Sequence, residues 1–493
     1  MNIVYMSSEV TPFAKTGGLA DVAGSLPGFI AELGHTVTVI LPFYRRARQC
    51  GQEIADTGKT VSVPIMDRIV TGRVFESRLE RSEVRVLLIG NDDYYDREEL
   101  YVEPETRADY RDNCERFVFL SRAALEAVGA LGIEPDVVHC NDWQTGLVPA
   151  YVKTLYAKGR AASRARTLFT VHNLGYQGLF WHWDMKLTGL DWELFNWRQL
   201  EFYGKLSFLK GGLVFADVLN TVSRRYAEEI QTEEFGCGLE GVLTKRSDDL
   251  YGIVNGVDYG VWDPELDDLI PAKYSASDLS GKAACKRALL ASQNLPEREG
   301  APLLGLISRL TPQKGFDILG IALDDIMALG VQMVLLGTGD KKYHDLFAAA
   351  AQKYPDQLAV NLTFDNRLAH EIEAGCDMFL MPSHYEPCGL NQLYSLKYGA
   401  VPVVRAAGGL ADTVVDCDPE TLSAGTATGF VFERYNPVEL LMAIERAVQT
   451  YARPGDWEKV VAHGMAQDWS WRRSAAEYVA LYEKALAKGR ASA

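Results

Sequence analysis

The sequence lacks the long apolar runs of a membrane protein and the positive charge of a nucleic-acid-binding protein. No apolar run reaches the roughly 18 residues that a membrane-spanning helix needs. Asp and Glu number 66 against 50 Lys and Arg, which gives a formal net charge of −16, and no long Lys/Arg run occurs. The opening MNIVYMSSEV has no basic stretch followed by an apolar one, so no signal peptide is predicted. We therefore expect a soluble, cytoplasmic protein that binds neither nucleic acid nor membrane.

Cysteine pairs of the kind that bind metal are also missing. The eight cysteines include no C-x-x-C pair, and no Cys/His cluster has the spacing of a zinc site. We expect reduced cysteines that lie mostly in the core, with Cys388 as the exception, and no metal site. The first predicted strand is followed by neither G-x-G-x-x-G nor G-x-x-x-x-G-K-[ST], which argues against a nicotinamide-dependent dehydrogenase and against a Walker-type site.

What the sequence does contain is an alternation of short, β-branched apolar runs with longer helical patterns. Several runs, such as residues 37–41 and 331–336, are largely apolar on both faces, which is typical of parallel strands covered by helices on both sides. The pattern predicts an α/β fold with doubly wound, Rossmann-like sheets. The predicted strands are residues 2–8, 37–42, 84–90, 136–140, 167–172, 217–223, 251–255, 302–308, 331–337, 358–364, 378–382, 401–405 and 429–432.

A break in this alternation predicts two domains. Strand 251–255 runs into a turn signal at Asn255–Gly256, residues 259–300 show little strand pattern, and a new strand begins at Pro302. We place a hinge near residues 256–262. The predicted divisions are an N-terminal Rossmann-like domain over 1–258, a C-terminal one over 259–472, and a helix over 473–493 that crosses back to the N-terminal domain.

A glycine pair after the first strand opens the first helix, in Lys15–Thr16–Gly17–Gly18–Leu19. Backbone N–H groups at a helix N-terminus attract an anion, glycines let it approach closely, and Lys15 adds a positive charge. The residues alone also fit a simple tight turn. Gly408–Gly409–Leu410–Ala411–Asp412, after strand 401–405, repeats the pattern with the same two interpretations.

Two further segments follow strands of the second half. Arg309 and Lys314 come after strand 302–308, where two fixed cations could stabilise a diphosphate leaving group; alternatively, they are incidental surface charges. Glu386–Pro387–Cys388–Gly389–Leu390 follows strand 378–382, where a carboxylate could face a sugar while helix amides face phosphate. A glutamate in such a turn is also often a solvated residue or a helix cap.

Polar and aromatic residues also end strands of the first half. His172 closes the strand in Thr170–Val171–His172–Asn173, although a lone histidine is often structural. Asp142–Trp143 and Tyr95–Asp96 follow other strands on the same sheet edge. Aromatic faces beside carboxylates suit a carbohydrate, but core packing explains Trp143 equally well.

Taken together, these segments resemble the bacterial glycogen synthases and plant starch synthases, which are retaining, ADP-glucose-dependent glucosyltransferases of the glycosyltransferase B fold. The resemblance runs in order along nearly the whole chain, and the lack of a transit peptide favours the bacterial enzymes. The matching segments are residues 15–21, 170–173, 207–210, 255–258, 308–310, 313–315, 386–390, 407–410 and 468–471.

The resemblance implies two domains that face each other across a cleft, with the acceptor on the N-terminal side and the nucleotide sugar on the C-terminal side. It implies transfer of glucose from ADP-glucose to the non-reducing 4-hydroxyl of an α-1,4-glucan, without a cofactor or metal. The implied catalytic residues are Glu386, Arg309, Lys314 and His172. The implied ADP-glucose-binding residues are Lys15, Gly17, Gly18, Asp21, Asn255, Phe364, Cys388, Gly389 and Leu390. The implied acceptor-binding residues are Tyr95, Asp142 and Trp143.

Four positions depart from the family pattern, and rival functions stay open. Asn391 stands where Thr is usual, Phe364 where Tyr is common, and Asn141 and Gln144 where His is frequent. Phe364 could stack on adenine or could be a core residue.

The rival functions are a related enzyme that uses UDP-glucose or a small acceptor such as a sugar phosphate, a dehydrogenase, a non-catalytic glucan-binding protein, and a phosphorylase with lysine-bound pyridoxal. For retention we favour front-face displacement, because evidence in this family for a carboxylate nucleophile is weak.

Overall fold

The computed structural model describes residues 1–80 and 82–491 as an α/β chain. Its contacts divide the chain into two compact units. The first unit comprises Met1–Val222, Ala227–Gly256 and the helix that begins at Trp471. The second comprises Val257–Ser470 and the short segment Ser223–Tyr226.

The helices and strands alternate along most of the chain. The strands are β1 (Asn2–Met6), β2 (Thr36–Pro42), β3 (Ala55–Ile65), β4 (Arg68–Arg78), β5 (Arg85–Gly90), β6 (Val137–Asn141), β7 (Arg166–Val171), β8 (Leu179–Trp181), β9 (Glu201–Phe202), β10 (Lys205–Ser207), β11 (Val218–Thr221), β12 (Leu250–Gly252), β13 (Leu303–Ile307), β14 (Gln332–Leu336), β15 (Leu358–Asn361), β16 (Met378–Met381), β17 (Val401–Arg405) and β18 (Phe430–Phe432). The helices are α1 (Gly18–Glu32), α2 (Asp92–Tyr95), α3 (Asn113–Ala130), α4 (Val148–Lys153), α5 (Met185–Thr188), α6 (Phe208–Phe215), α7 (Arg224–Glu229), α8 (Glu240–Lys245), α9 (Ser280–Ser292), α10 (Phe316–Ala328), α11 (Lys341–Lys353), α12 (Asn366–Gly375), α13 (Asn391–Tyr398), α14 (Gly408–Thr413), α15 (Pro419–Ala424), α16 (Pro437–Tyr451), α17 (Pro454–Met465) and α18 (Trp471–Ala491).

The first unit is built on a nine-stranded sheet in the order β12-β11-β7-β6-β1-β2-β5-β4-β3. Its first seven strands in this order are parallel, and they are the seven that the sequence predicts. The sequence analysis missed the antiparallel hairpin β3–β4 and the small sheet β8-β10-β9. Strand β3 is largely exposed over its first half, so it carries none of the continuous apolar character that marks a buried strand.

The last helix completes the hydrophobic core of the first unit. Trp471, Tyr478 and Tyr482 of α18 are buried in one cluster with residues of β1, β2 and α1. The Tyr482 hydroxyl lies 2.9 Å from His139 Nδ1, and the Tyr478 hydroxyl accepts from Asn220 Nδ2 at 3.0 Å. The sheet therefore depends on α18 both for apolar burial and for partners to its buried polar side chains.

The second unit is built on a six-stranded parallel sheet, and the sequence predicts all six strands. Their order in the sheet is β15-β14-β13-β16-β17-β18. Alternate residues of β14 enter two different clusters: Met333 and Leu335 pack in one, Val334 and Leu336 in the other. The sheet is thus buried on both faces. Because its strands run in parallel, the loops that follow β13, β16 and β17 all leave from the same edge of the sheet.

Most of the cysteines lie in these cores, as expected. Six of the eight are buried, whereas Cys50 is half-buried and Cys237 is exposed. No helix within residues 1–80 and 82–491 is both long enough and apolar enough to cross a membrane.

Candidate active site

In the second unit, the loops after β13 and β16 bring together two of the predicted catalytic residues. Lys314 Nζ donates to Glu386 Oε2 at 2.6 Å, and the same oxygen accepts from Ser383 Oγ at 2.9 Å. The Glu386 side chain is only 7% exposed and that of Lys314 20%. A cation and a hydroxyl thus satisfy a carboxylate that is almost fully shielded from water.

Glycines allow these loops to approach one another closely. Gly315 has a φ of +79°, and a Cβ there would lie 2.0 Å from the Pro382 carbonyl oxygen. Gly408 has a φ of +45°, and a Cβ there would lie 2.0 Å from the Glu386 carbonyl oxygen. The glycine pair after β17 thus packs against the loop that carries Glu386. The Glu386 carbonyl oxygen accepts from the Gly409 N–H at 3.1 Å.

The remaining predicted residues of this unit surround the same sheet edge. Arg309 is exposed just after β13, and among the described residues no ion pair or hydrogen bond engages its guanidinium. Phe364 follows β15 and is 79% exposed, which excludes the interpretation as a core residue. Cys388 is buried, and Gly389 and Leu390 directly precede α13. The chain changes direction at Gly389, whose φ is +72°.

Asn391, the departure at the start of α13, has a structural role. Its Nδ2 donates to the Ile307 carbonyl oxygen at 2.8 Å, which ties the helix that follows the Glu386 loop to the end of β13. The amide therefore aligns the loop that carries Glu386 with the strand that precedes Arg309.

In the first unit, the carboxyl ends of the neighbouring strands β7, β6 and β1 carry the predicted polar residues. The His172 N–H donates to Asp142 Oδ1 at 2.7 Å, and His172 Nε2 lies 2.9 Å from Asn141 Oδ1. Asn141 Nδ2 donates to the Met6 carbonyl oxygen at 3.0 Å, so its Oδ1 is an acceptor and His172 Nε2 carries the proton. His172 Nδ1 is then left as a hydrogen-bond acceptor.

Burial lowers the pKa of His172 and raises that of Asp142, so it favours the uncharged form of each side chain. Desolvation lowers the pKa of His172 to about 3, so the imidazole is uncharged at neutral pH. Desolvation raises the pKa of Asp142 to about 7, against the opposing effect of the His172 and Asn173 N–H groups that it accepts from. This corner of the site can therefore offer hydrogen bonds to an uncharged ligand such as a sugar.

The glycine-rich turn at the start of α1 is occupied by a carboxylate that the sequence analysis missed. Glu9 accepts from the N–H and Oγ1 of Thr16, from the Gly17 N–H at 3.2 Å and from the Tyr101 hydroxyl at 2.8 Å. The backbone amides that were predicted to bind an anion thus already hold one from the protein. Its only sequence signal is its place after β1, just ahead of the glycine pair.

The other predicted residues of this turn lie near its surface. Lys15 Nζ donates to Asp21 Oδ1 at 2.6 Å, with both side chains partly exposed. Gly17 is the extended residue before α1, and Gly18 is the first residue of the helix. Elsewhere in this unit Asn255 is buried, and within the described part of the chain its Oδ1 has no hydrogen-bond partner. This oxygen is therefore an acceptor that the described protein groups leave available.

The predicted acceptor residues differ in their accessibility. Trp143 is half-buried and packs edge-on against Phe117 at a centroid distance of 4.9 Å. Tyr95 is completely buried, and its hydroxyl donates to the Arg116 carbonyl oxygen at 2.9 Å. In this structure the Tyr95 ring therefore offers no surface to a glucan, in contrast to the sequence-based expectation. The resemblance implies that Tyr95 contacts the acceptor, but α3 packs against its ring and hydroxyl.

Two Rossmann-like units, each with polar side chains at the carboxyl ends of its parallel strands, together with the matches that follow, show a glycosyltransferase of the B class, as the family resemblance implies. Residues 2–245 match the family described as starch synthase catalytic domain, and residues 290–460 match glycosyl transferases group 1. The chain is 47% identical over 486 residues to the glycogen synthase of Syntrophotalea carbinolica, with 99% of each chain covered. It is 47% identical over 490 residues to that of Koribacter versatilis, with 98% of each covered.

Comparison with a solved structure indicates the same class of protein. The catalytic domain of starch synthase IV from Arabidopsis thaliana, bound to ADP and acarbose, superimposes with a TM-score of 0.90 at 32% identity, covering 98% of this chain and 99% of that one. The chain belongs to the glycogen synthase family. In the part of the chain that the structure describes, no three His, Cys, Asp or Glu side chains cluster as metal ligands do.

Proposed function

We propose that the protein elongates glycogen by transferring glucose from ADP-glucose to the non-reducing 4-hydroxyl of an α-1,4-glucan, with retention at the anomeric carbon. The observation that carries the proposal is the pair formed by Lys314 and Glu386 at the sheet edge that also bears Arg309. Family membership supports the same reaction, since the curated relatives are named glycogen synthase. A cytoplasmic location is part of the proposal, because nucleotide sugars are made inside cells.

The second unit is proposed to hold the donor. Arg309 and Lys314 neutralise the diphosphate, whose negative charge grows as its bond to glucose breaks. The exposed ring of Phe364 stacks on adenine, since stacking needs only an open aromatic face. The turn formed by Cys388, Gly389 and Leu390 supplies backbone amides to glucose or phosphate.

The first unit is proposed to supply contacts to glucose and to the acceptor. Uncharged His172 accepts a glucose hydroxyl through Nδ1, and the unpartnered oxygen of Asn255 accepts another. Asp142 and the exposed part of Trp143 contact the glucan. Buried Tyr95 makes no direct contact with the acceptor in this scheme.

The turn before α1 completes these contacts in the proposal. Lys15 reaches the distal phosphate by exchanging its partner Asp21 for the ligand, and Asp21 is then free to accept a sugar hydroxyl. Gly17 and Gly18 let the ligand approach the backbone closely, since neither has a side chain in the way. Glu9 keeps the turn in this conformation before the donor binds.

The proposed reaction is a front-face displacement. The bond between the anomeric carbon and the diphosphate oxygen breaks with its electrons passing to ADP, and the acceptor 4-oxygen forms its bond on the same face. The proton of the 4-hydroxyl passes to the departing phosphate oxygen. Glu386, held by Lys314 and Ser383, orients the glucose and stabilises positive charge at its ring, while the two cations stabilise ADP. The scheme needs no cofactor.

The test is incubation of the purified protein with labelled ADP-glucose or UDP-glucose, each with glycogen, with glucose 6-phosphate and without acceptor. We expect label in polymer with ADP-glucose and glycogen, released by an enzyme that cleaves only α-1,4 linkages. A preference for UDP-glucose or for the sugar phosphate would replace the proposal by a related transferase. Binding of glycogen without any transfer would indicate a non-catalytic glucan-binding protein.

A further inference from the structure

A buried asparagine to which the proposed reaction gives no role lies between three neighbouring strands of the first sheet. Asn141 is the last residue of β6, which runs between β1 and β7, and it is completely buried. In the register of the sheet it lies opposite Thr170 of β7, the strand that ends one residue before His172. A side-chain amide buried at such a place needs partners for both its oxygen and its nitrogen.

Contacts with β1 fix the orientation of the Asn141 amide. Its Nδ2 donates to the Met6 carbonyl oxygen at 3.0 Å, and its Oδ1 accepts from the Tyr5 hydroxyl at 3.2 Å. A carbonyl oxygen can only accept, so half a turn of the amide would place two oxygens against each other. Tyr5 is completely buried and packs edge-on against the His139 ring at a centroid distance of 4.6 Å. Asn141 Oδ1 is therefore an acceptor with a fixed position.

This fixed oxygen determines which ring nitrogen of His172 carries the proton. His172 Nε2 lies 2.9 Å from Asn141 Oδ1, and a ring nitrogen can bond to an accepting oxygen only by donating. The imidazole is uncharged at neutral pH because desolvation lowers the pKa of His172 to about 3. An uncharged imidazole has a single N–H group, so Nδ1 keeps its lone pair.

We propose that Asn141 is a positioning residue for glucosyl transfer: it holds the proton of His172 on Nε2 and thereby presents Nδ1 as an acceptor to a hydroxyl of the transferred glucose. This inference rests on the proposed function. A lone pair at Nδ1 suits a sugar hydroxyl, which can donate, and does not suit a diphosphate oxygen, which can only accept. The tautomer therefore assigns this corner of the first unit to the sugar rather than to the diphosphate.

Leucine at position 141 separates this role from simple filling of space. Its side chain has nearly the volume of asparagine but cannot accept a hydrogen bond. An N–H group at His172 Nε2 would then be buried without its acceptor, so the preference for this tautomer is lost. Aspartate at the same position keeps an oxygen for Nε2 and should preserve the tautomer.

The first test determines the tautomer in the full-length protein without substrate. Chemical shifts of the ring nitrogens in protein labelled with 15N-histidine distinguish a protonated from an unprotonated nitrogen. The chain has eight histidines, and the signals of His172 are those that disappear in His172→Asn. At pH 7.5 we expect the proton on Nε2 in wild type and in Asn141→Asp, and a shift of the proton toward Nδ1 in Asn141→Leu.

The second test measures the reaction. We expect kcat/KM for ADP-glucose to fall about 3- to 12-fold in Asn141→Leu, which corresponds to the loss of one hydrogen bond to an uncharged group. The KM for glycogen should stay within twofold. The matched control is Asn220→Leu, which removes a completely buried asparagine of β11 that bonds to the Tyr478 hydroxyl. It should lower the melting temperature but change neither the tautomer of His172 nor kcat/KM.

Two results of the first test would overturn the inference: a proton on Nδ1 in the wild-type protein, or an unchanged tautomer in Asn141→Leu. In the second test, an equal fall of kcat/KM in Asn220→Leu would attribute the loss to damage of the buried sheet and would also overturn it. Absence of glucosyl transfer by a wild-type protein that shows the expected tautomer would instead refute the proposed function.

Discussion

Lys314 Nζ and Glu386 Oε2 lie 2.6 Å apart, at the ends of two neighbouring parallel strands of the second unit. The two residues are 72 positions apart in sequence, and only the adjacency of β13 and β16 brings them together. The sheet sets the two loops side by side, and the loops themselves bring the two side chains into contact. Loss of either residue leaves the other without its charged partner.

Replacement of Arg309 or Lys314 by Ala should reduce turnover strongly. Loss of one charge-assisted contact to the leaving group is expected to cost about 2–4 kcal/mol, or roughly 30- to 1000-fold in kcat. The two variants should differ in stability: Lys314→Ala leaves Glu386 unpaired and should lower the free energy of unfolding by about 1–3 kcal/mol, whereas exposed Arg309 should have almost no effect. Steady-state kinetics and urea unfolding measure both quantities.

The control for these cations is Lys341→Ala, which removes an exposed lysine of α11 that pairs with Asp345. It should leave turnover unchanged. Near-normal turnover in both Arg309→Ala and Lys314→Ala would refute their assignment to the leaving group.

The Glu386→Gln variant should be severely impaired without accumulating a covalent glucosyl species. The Glu386 carboxylate is bonded through Oε2 to Lys314 and Ser383, which suits an orienting and electrostatic group rather than an attacking one. Mass spectrometry of the intact wild-type protein with a slow donor analogue tests this. A glucosyl ester trapped on Glu386 would show that the reaction uses two displacements instead.

The Phe364→Ala variant should raise the KM for ADP-glucose about 5- to 150-fold, since stacking on a base contributes about 1–3 kcal/mol. Turnover should change less. Because the ring is 79% exposed, the melting temperature should stay the same. Ile321→Ala on α10, a residue 70% exposed in the same unit, is the control and should affect neither quantity. An unchanged KM in Phe364→Ala would contradict the stacking role.

Asp142 predicts a specific dependence of stability on pH. Burial raises its pKa in the folded state to about 7, while the unfolded carboxyl ionises near its ordinary value of about 4. Between these values the folded state binds more protons, so Asp142 destabilises the protein progressively as pH rises from about 4 to about 7. The Asp142→Asn variant keeps an oxygen for the His172 N–H and removes this effect.

The melting temperature of Asp142→Asn relative to wild type should therefore increase from pH 5 to pH 7.5. The comparison between the two proteins cancels the titration of other groups, including His172, whose lowered pKa acts in the opposite direction. A difference in melting temperature that stays constant over this range would show that Asp142 ionises normally in the folded protein.

The sequence predicts the parallel sheets well because their strands are apolar on both faces. Each predicted strand is present, from β1 to β18, whereas β3, β4 and the β8–β10 sheet were missed. Strand β3 combines charged residues, glycine and proline with an exposed first half, so it has no pattern that distinguishes it from a loop. Its strand conformation comes from pairing with β4.

Site residues were predictable from the sequence where a charged side chain follows a strand. They were harder to predict where contacts with residues distant in sequence determine the role. Lys314 and Glu386 stand out as charges after strands of an α/β fold. Glu9 was missed because a carboxylate beside a glycine turn has no signature until its partners Thr16 and Gly17 are seen. The resemblance implies an acceptor contact for Tyr95, and no sequence pattern shows that α3 packs against its ring.

The packing of α18 against β1 and α1 has a consequence for biosynthesis. Residues that begin the first unit leave the ribosome more than 400 residues before Trp471, yet their core contains Trp471, Tyr478 and Tyr482. Domains of most proteins fold in the order of their synthesis. Here the second unit, nearly all of it one continuous segment, is complete while the first still exposes the surface that α18 will cover. The nascent first unit must therefore be kept from aggregating until the end of translation.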